Sequence, residues 1–204
     1  RVEWAITGAF GDNLDEPSRQ VALKAKLSEA DVSGLRALGV CINYNGYGPS
    51  LDDLHFHPSE LYAALYEAGH PGAFIDSDSF RQLSDGYSQD VAASKALAPA
   101  LIQPGFAMYQ LPNTAWARRV SGVFSNDLVR AHPARAHAVL TEQDDGAFLV
   151  SVRAPFHHRF GAEKVCAQFE TGGGRAAAAG INRLAVDDLD RLIAALATEY
   201  GDQR

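Results

Sequence analysis

The chain has 204 residues, of which 47% are hydrophobic; this suits one large or two small packed domains and excludes a disordered tail or a fibre. Lysine and arginine total 18 against 25 aspartate and glutamate, a formal charge of −7. That argues against a general nucleic-acid coating protein, whose phosphate-driven binding needs a basic surplus, and leaves room for a local anion pocket.

Cys41 and Cys166 lie far apart with no C-x-x-C pairing, which argues against a disulfide scaffold or a structural zinc cluster and fits a reducing cytoplasm. No secretory h-region is present, and no apolar run approaches the ~20 residues that cross a bilayer. The chain opens on Arg1 and runs at once into Trp4-Ala5-Ile6, as a fragment of a longer protein would.

In chain order, WAITGAF followed by Gly11-Asp12-Asn13 predicts a strand that ends in a turn. VALKAKLSEADVSGLRALGVCI predicts a helical stretch, and the Asn-, Gly-, Pro- and Ser-rich NYNGYGPS marks a boundary. Leu61, Leu65 and Ala68 share one helical stripe, stopped by Gly69 and Pro71. Phe80, Leu83, Tyr87 and Val91 mark a second helix, which Gly86 weakens by about 1 kcal/mol relative to alanine. LAPALIQPG closes this helical connector. FAMYQLP predicts a strand, and Trp116, Val120, Val123, Phe124 and Leu128 form the buried stripe of the next helix. HAVLTEQ-DDG-AFLVSVRAP predicts a β-hairpin turning at Asp145-Gly146 with positive φ at both central residues. A helix in GAEKVCAQF, the segment TGGGRAAAAGINRL and a closing helix carrying Leu189, Leu192, Ile193 and Leu196 complete a mixed α/β unit.

Three features carry chemistry. Gly172-Gly173-Gly174-Arg175 is a candidate phosphate nest: consecutive glycines let backbone N–H groups approach an anion, and the arginine binds phosphate or carboxylate bidentately. A flexible turn with a solvated arginine explains it equally well; the Rossmann and P-loop spacings are absent. On the strand AFLVSVRAP, alternation places Ser151 and Arg153 on one face, a hydroxyl beside a guanidinium. On the helix WARRVSGVFSNDL, Arg118, Gly122 and Ser125 face away from the apolar stripe, and Gly122 leaves room for a ligand or for close packing. His55-x-His57 has no third metal ligand at a recognisable spacing and suits a helix entry. His157-His158 lies where it can rim an anion site, and no Ser-His-Asp triad is supported.

RVSGVFSN, SVRAP and TGGGRAAAAGIN, in that order, resemble the DHHA1 domain, the C-terminal substrate-binding unit of the DHH phosphoesterase superfamily. The resemblance covers roughly residues 105–200. It departs at Arg175, where the family usually has histidine; arginine keeps the anion-binding role and loses titration near neutral pH. AITGAFGDN is similar to the family's strand-end motif, with Asp12 at the position of a metal-binding aspartate. The family's Asp-His-x-Asp and Asp-His-His motifs do not occur in the chain.

The resemblance implies a mixed α/β fold in three parts: residues 1–48 as the end of a DHH catalytic domain, 49–104 as a helical connector, and 105–204 as a DHHA1-like domain with a small mixed sheet. It implies the C-terminal, substrate-binding portion of a cytoplasmic phosphoesterase that uses Mn²⁺ or Mg²⁺ when intact, with Asp12 as a metal ligand and this segment alone inactive. Ser151, Arg153, Gly172, Gly173, Gly174, Arg175 and Arg118 would hold a phosphate-containing small molecule or a short single-stranded oligonucleotide. No membrane partner is expected, and a homodimer is compatible. Two other classes stand beside it: a non-catalytic nucleic-acid or nucleotide-binding module, and an assembly domain whose glycine run is only a turn.

Overall fold

The computed structural model describes residues 1–201 and folds them into two compact units, Arg1–Asp90 and Val91 onward. The expected boundaries near residues 48 and 104 do not coincide with this division. NYNGYGPS is an internal connection of the first unit: the buried Asn45 side chain accepts from the His55 and Phe56 amides, each at 3.1 Å, and donates to Phe56 O at 2.9 Å. LAPALIQPG is drawn into the sheet of the second unit through Ala100 N to Met108 O, 2.8 Å, and Gln103 N to Phe106 O, 2.9 Å.

The first unit is helical. Its opening segment is a helix, α1 (Val2–Gly11), and not the expected strand. Ile6, Thr7, Phe10 and Gly11 are its buried positions, a helical spacing. It crosses α3 (Glu29–Tyr44) at backbone contact, since a Cβ on Gly39 would stand 2.1 Å from Thr7 O and one on Gly11 2.9 Å from Gly39 O. Between them lies α2 (Asp15–Lys24); the expected continuous helical stretch breaks at Lys26, where φ is +59°, and restarts in a capping box made by Ser28 and Asp31. Helices α4 (Pro58–Ala68), α5 (Pro71–Ile75) and α6 (Asp78–Lys95) follow. Leu61, Leu65, Ala68, Phe80, Leu83 and Tyr87 join Leu38 and Cys41 in one core, as their spacing predicts. Gly86 has a packing reason: the His55 ring stands 2.4 Å from where its Cβ would be.

The second unit is a six-stranded mixed sheet in the order β1 (Leu101–Ile102), β2 (Phe106–Leu111), β3 (Ala136–Glu142), β4 (Phe148–Arg153), β6 (Ala178–Leu184), β5 (Gly172–Arg175). Strands β2 and β3 are parallel, joined by the crossover helix α7 (Ala115–Ala131); the other pairs are antiparallel. The fold is thus the mixed α/β arrangement that the sequence predicts. The β3–β4 hairpin closes through Gly146 N to Gln143 O and Gln143 N to Ala147 O, with only Gly146 at positive φ (+78°). Asp145 instead accepts the Ala147 amide at 3.0 Å and stays in the ordinary region.

One sheet face packs Met108, Leu140, Val150, Val152 and Ile181 against α8 (Ala162–Cys166) and α9 (Leu189–Tyr200). The opposite face packs Ala107, Tyr109, Leu111 and Val139 against Val120, Phe124 and Leu128 of α7. Each of the buried Val, Leu, Ile, Phe and Met side chains among them contributes about 1.5–3 kcal/mol. Helix α7 covers this face only as far as β3 and the near side of β4. Among the described residues, no helix is long and apolar enough to cross a membrane.

Candidate anion site on the open sheet face

The open part of that face is built by register. Ser151 pairs with Gly180 and Gly180 with Gly173; Arg153 pairs with Ala178 and Ala178 with Arg175. Because partners in antiparallel strands project to the same side, these six positions form two rows with small residues between the polar ones. Burial agrees: β4 alternates buried Phe148, Val150 and Val152 with partly exposed Leu149, Ser151 and Arg153, while Gly173 and Arg175 are exposed. A floor of Gly173, Ala178 and Gly180 leaves an anion free to approach the backbone beside two guanidinium groups.

Arg153 is held in place. Its Nη1 donates to Ser151 Oγ at 2.8 Å and its Nε to Asn126 Oδ1 of α7 at 3.0 Å. Ser151 Oγ is in turn 3.3 Å from the Ser125 hydroxyl, which donates to Ser121 O at 2.7 Å. Ser151 and Arg153 thus share one face, as the strand alternation predicts, and the structure adds a contact from Ser151 to Ser125 of α7. The α7 residue that fixes the guanidinium is Asn126, next to Ser125 in the sequence and without a motif of its own to mark it. The Arg175 side chain is exposed and among the described residues has no ion pair or hydrogen bond.

The glycine run is neither a nest nor a turn. Gly172–Arg175 is an extended edge strand, so successive N–H groups alternate in direction instead of converging. The glycines answer different demands. A Cβ on Gly172 would stand 1.8 Å from Cys166 O, Gly174 has φ +145°, and Gly173 alone has open space around it. Only Gly173 lies on the face shared with Arg175.

Arg118 stands further back on the same helix. It lies seven residues, about 10 Å, along α7 from Ser125, and its Nη1 donates to Asn113 Oδ1 in the β2–α7 loop. Gly122 between them has nothing within 4 Å of a built Cβ.

Behind Arg153 in the same row is His137, fully buried on β3. No hydrogen bond of ordinary geometry reaches either ring nitrogen, only a loose contact with the Arg135 backbone. Burial first, then the charges of His132 and Arg135, push its pKa down to about 4. On the other side of the sheet, burial raises the Cys166 thiol to about 12 against the opposing pull of Arg153, so it is an inert core residue. Cys41 is likewise buried, at about 11, and both are free.

In the first unit, Asp12 is the C-cap of α1 and not a strand end. It lines a cavity of about 600 Å³ with Trp4, Gly8, Asn43, Tyr62 and Tyr66, an aromatic pocket that the sequence did not reveal. Among the described residues, no group of three or more His, Cys, Asp or Glu is placed to hold a metal. A hard divalent cation takes six or more oxygen ligands, so these residues alone do not make a Mn²⁺ or Mg²⁺ site. His57 caps α4 by accepting from the Ser59 amide, while His55 turns to Tyr44 at 3.1 Å.

No protein-family model and no curated protein matches the sequence. Solved structures do match in fold. PggH from Vibrio cholerae, a pGpG-specific phosphodiesterase, superposes with a TM-score of 0.56 at 14% identity, over 81% of this chain and 57% of that one. CDC45 from Entamoeba histolytica gives 0.54 at 9% identity, over 82% and 38%. A DHH-domain member of the s1p family of ribosomal proteins gives 0.53 at 14% identity, over 97% and 49%. The chain spans 38% to 57% of the length of these structures. The chain thus shares its fold with these structures, a DHH-domain protein among them.

Proposed function

We propose that this chain is the substrate-holding portion of a DHH-family phosphoesterase acting on a phosphodiester or phosphoanhydride substrate: a short oligonucleotide, a nucleotide or a polyphosphate. The observation that carries this reading is the Ser151–Arg153–Asn126 cluster standing over an open floor of Gly173, Ala178 and Gly180, with Arg175 at its edge. A pre-set guanidinium beside small residues holds a phosphate in place at little entropic cost and offsets charge that grows on it during transfer. The fold shared with a phosphodiesterase specific for pGpG supports the same substrate class.

In this reading Arg153 and Ser151 orient the phosphate, Gly173 admits it to the sheet backbone, and the Arg175 side chain closes over it. Asp12 contributes one carboxylate toward a metal whose other ligands the described residues do not supply. No step is therefore assigned to a metal within this chain, and the chain by itself binds without hydrolysing.

The test is equilibrium binding of a short 5′-labelled oligonucleotide at two salt concentrations, with the wild type and Arg175→Ala. Binding with a shallow salt slope, of about one to two phosphate contacts, supports a small phosphate ligand. A loss of about 1.5–3 kcal/mol in the variant places Arg175 on that phosphate. An affinity that Arg175→Ala leaves unchanged, with only stability altered, contradicts its role.

A further inference from the structure

The loop between β4 and α8 reads Pro155-Phe156-His157-His158-Arg159-Phe160, with no acidic residue among them. It exposes two phenyl rings, Phe156 at 53% and Phe160 at 60%. Monomeric proteins expose isolated apolar residues routinely, but two aromatic rings interleaved with one guanidinium and two imidazoles form a different surface. Arg159 lies over the Phe156 ring at 5.8 Å, and the His158 ring packs edge-on to Phe160 at 5.5 Å.

The backbone fixes where this surface stands. Ala154 N donates to Ala177 O and Ala162 N to Ala176 O, both 3.0 Å, so each end of the loop is tied to the β5–β6 turn that follows Arg175. The middle is tied by His157 N to Pro133 O at 3.1 Å, and Tyr200 Oη donates to Phe160 O at 3.2 Å. The loop begins directly after Arg153. Glu199, which packs under Gly161, is paired with Lys164 at 3.2 Å. Glu163 opens α8 just beyond the loop, while the loop itself carries Arg159, two histidines and two phenylalanines in a chain of net charge −7.

We infer that Phe156 and Phe160 are a stacking platform for an unpaired nucleobase, joined to the phosphate held by Arg153 and Arg175, so that the ligand is a nucleotide or single-stranded oligonucleotide and not a base-free polyphosphate. This inference rests on the phosphate reading of the Arg153 site and narrows its ligand. Every base has a π-face, so such a platform recognises nucleic acid without reading sequence. The adjacent Arg159 adds charge to the strand-tracking surface and stiffens the Phe156 ring.

The experiment compares three ligands on the full 204-residue chain: a short 5′-phosphorylated oligonucleotide, an abasic oligomer of the same length and charge, and inorganic tripolyphosphate. The proteins are the wild type, Phe156→Ala/Phe160→Ala, Phe160→Trp and Arg153→Ala. The double alanine variant is expected to weaken the base-bearing oligonucleotide about 5- to 100-fold and to leave the abasic oligomer and tripolyphosphate unchanged. Phe160→Trp retains the oligonucleotide, and Arg153→Ala weakens all three ligands.

Equal loss of the abasic and base-bearing ligands in the double variant overturns the platform, because the loop then acts on charge or folding alone. No loss of any ligand in that variant, with loss of all in Arg153→Ala, also overturns it while leaving the phosphate site standing. Wild-type protein that binds none of the three removes the phosphate site and the platform together.

Discussion

Arg153 and Ser151, two residues apart on β4, project from the same face of the sheet and are joined by a hydrogen bond from Arg153 Nη1 to Ser151 Oγ at 2.8 Å, while Nε of the same guanidinium is held by Asn126 at 3.0 Å. The arginine is thus positioned from two elements before any ligand arrives. Replacement by lysine keeps the charge but loses the planar fork, which a point charge on a flexible stem does not reproduce. Arg153→Lys is expected to weaken phosphate-ligand binding by about 1–2 kcal/mol and Arg153→Ala by about 1.5–3 kcal/mol. Isothermal titration with a short 5′-phosphorylated oligonucleotide measures both, and equal affinity of the lysine variant and the wild type would count against bidentate holding.

Gly172 and Gly173 are neighbours with opposite demands. Gly172→Ala drives a Cβ to 1.8 Å from Cys166 O, a backbone atom that can yield only by moving α8 away from β5. The expected cost is about 1–3 kcal/mol, the usual range for overpacking. Gly173→Ala meets nothing within 4 Å and is expected to change stability by less than about 0.5 kcal/mol. Urea unfolding followed by circular dichroism separates the two; similar midpoints for both variants would show that the β5–α8 contact is not close.

Gly122 sits in the interior of α7 with open space where a Cβ would be. Alanine there gains helix propensity, and the expected result is a stabilisation of about 0.5–1 kcal/mol. Destabilisation in the same urea assay would mean that something packs on Gly122 after all.

His137 makes stability depend on pH. Its folded pKa lies near 4 and its unfolded value near 6.5, so between these the unfolded chain holds the proton and the folded chain does not. Stability therefore falls as pH drops from about 6.5 to about 4, and this contribution is constant above and below that window. His137→Met removes the titrating group, and its urea midpoint should lose that part of the slope. A variant that keeps the full wild-type slope between pH 6.5 and 4 assigns the dependence to other groups.

Much of the second unit was legible in the sequence because its strands are half-buried and its helices amphipathic. The alternation Phe148–Val150–Val152 against Ser151–Arg153 and the stripe Val120–Phe124–Leu128 each have one period and one buried face. The first segment was misread for the opposite reason. WAITGAF is short, apolar and glycine-containing, and over seven residues such a run looks alike as strand or helix. What settles it is Gly39, far along the chain, whose lack of a side chain admits α1 at backbone contact.

Neither the nest nor the turn that the glycine run suggests is formed, because three glycines carry no period of their own; their strand pairing comes from β6 and their close packing from Cys166. The pairing of Ser151 with Arg153 was visible as an i, i+2 pattern. The part played by Asn126 was not, since it depends on how α7 lies over β4, a tertiary fact.

The most direct measurement is the affinity of the wild-type chain and of Arg153→Ala for one short 5′-phosphorylated single-stranded oligonucleotide at low and moderate salt. Saturable wild-type binding that falls by about 1.5–3 kcal/mol in Arg153→Ala, with an unchanged fold by circular dichroism, is the predicted result. Wild-type binding that Arg153→Ala leaves intact, or no wild-type binding to this ligand or to tripolyphosphate, would contradict a phosphate site on the open face of the sheet.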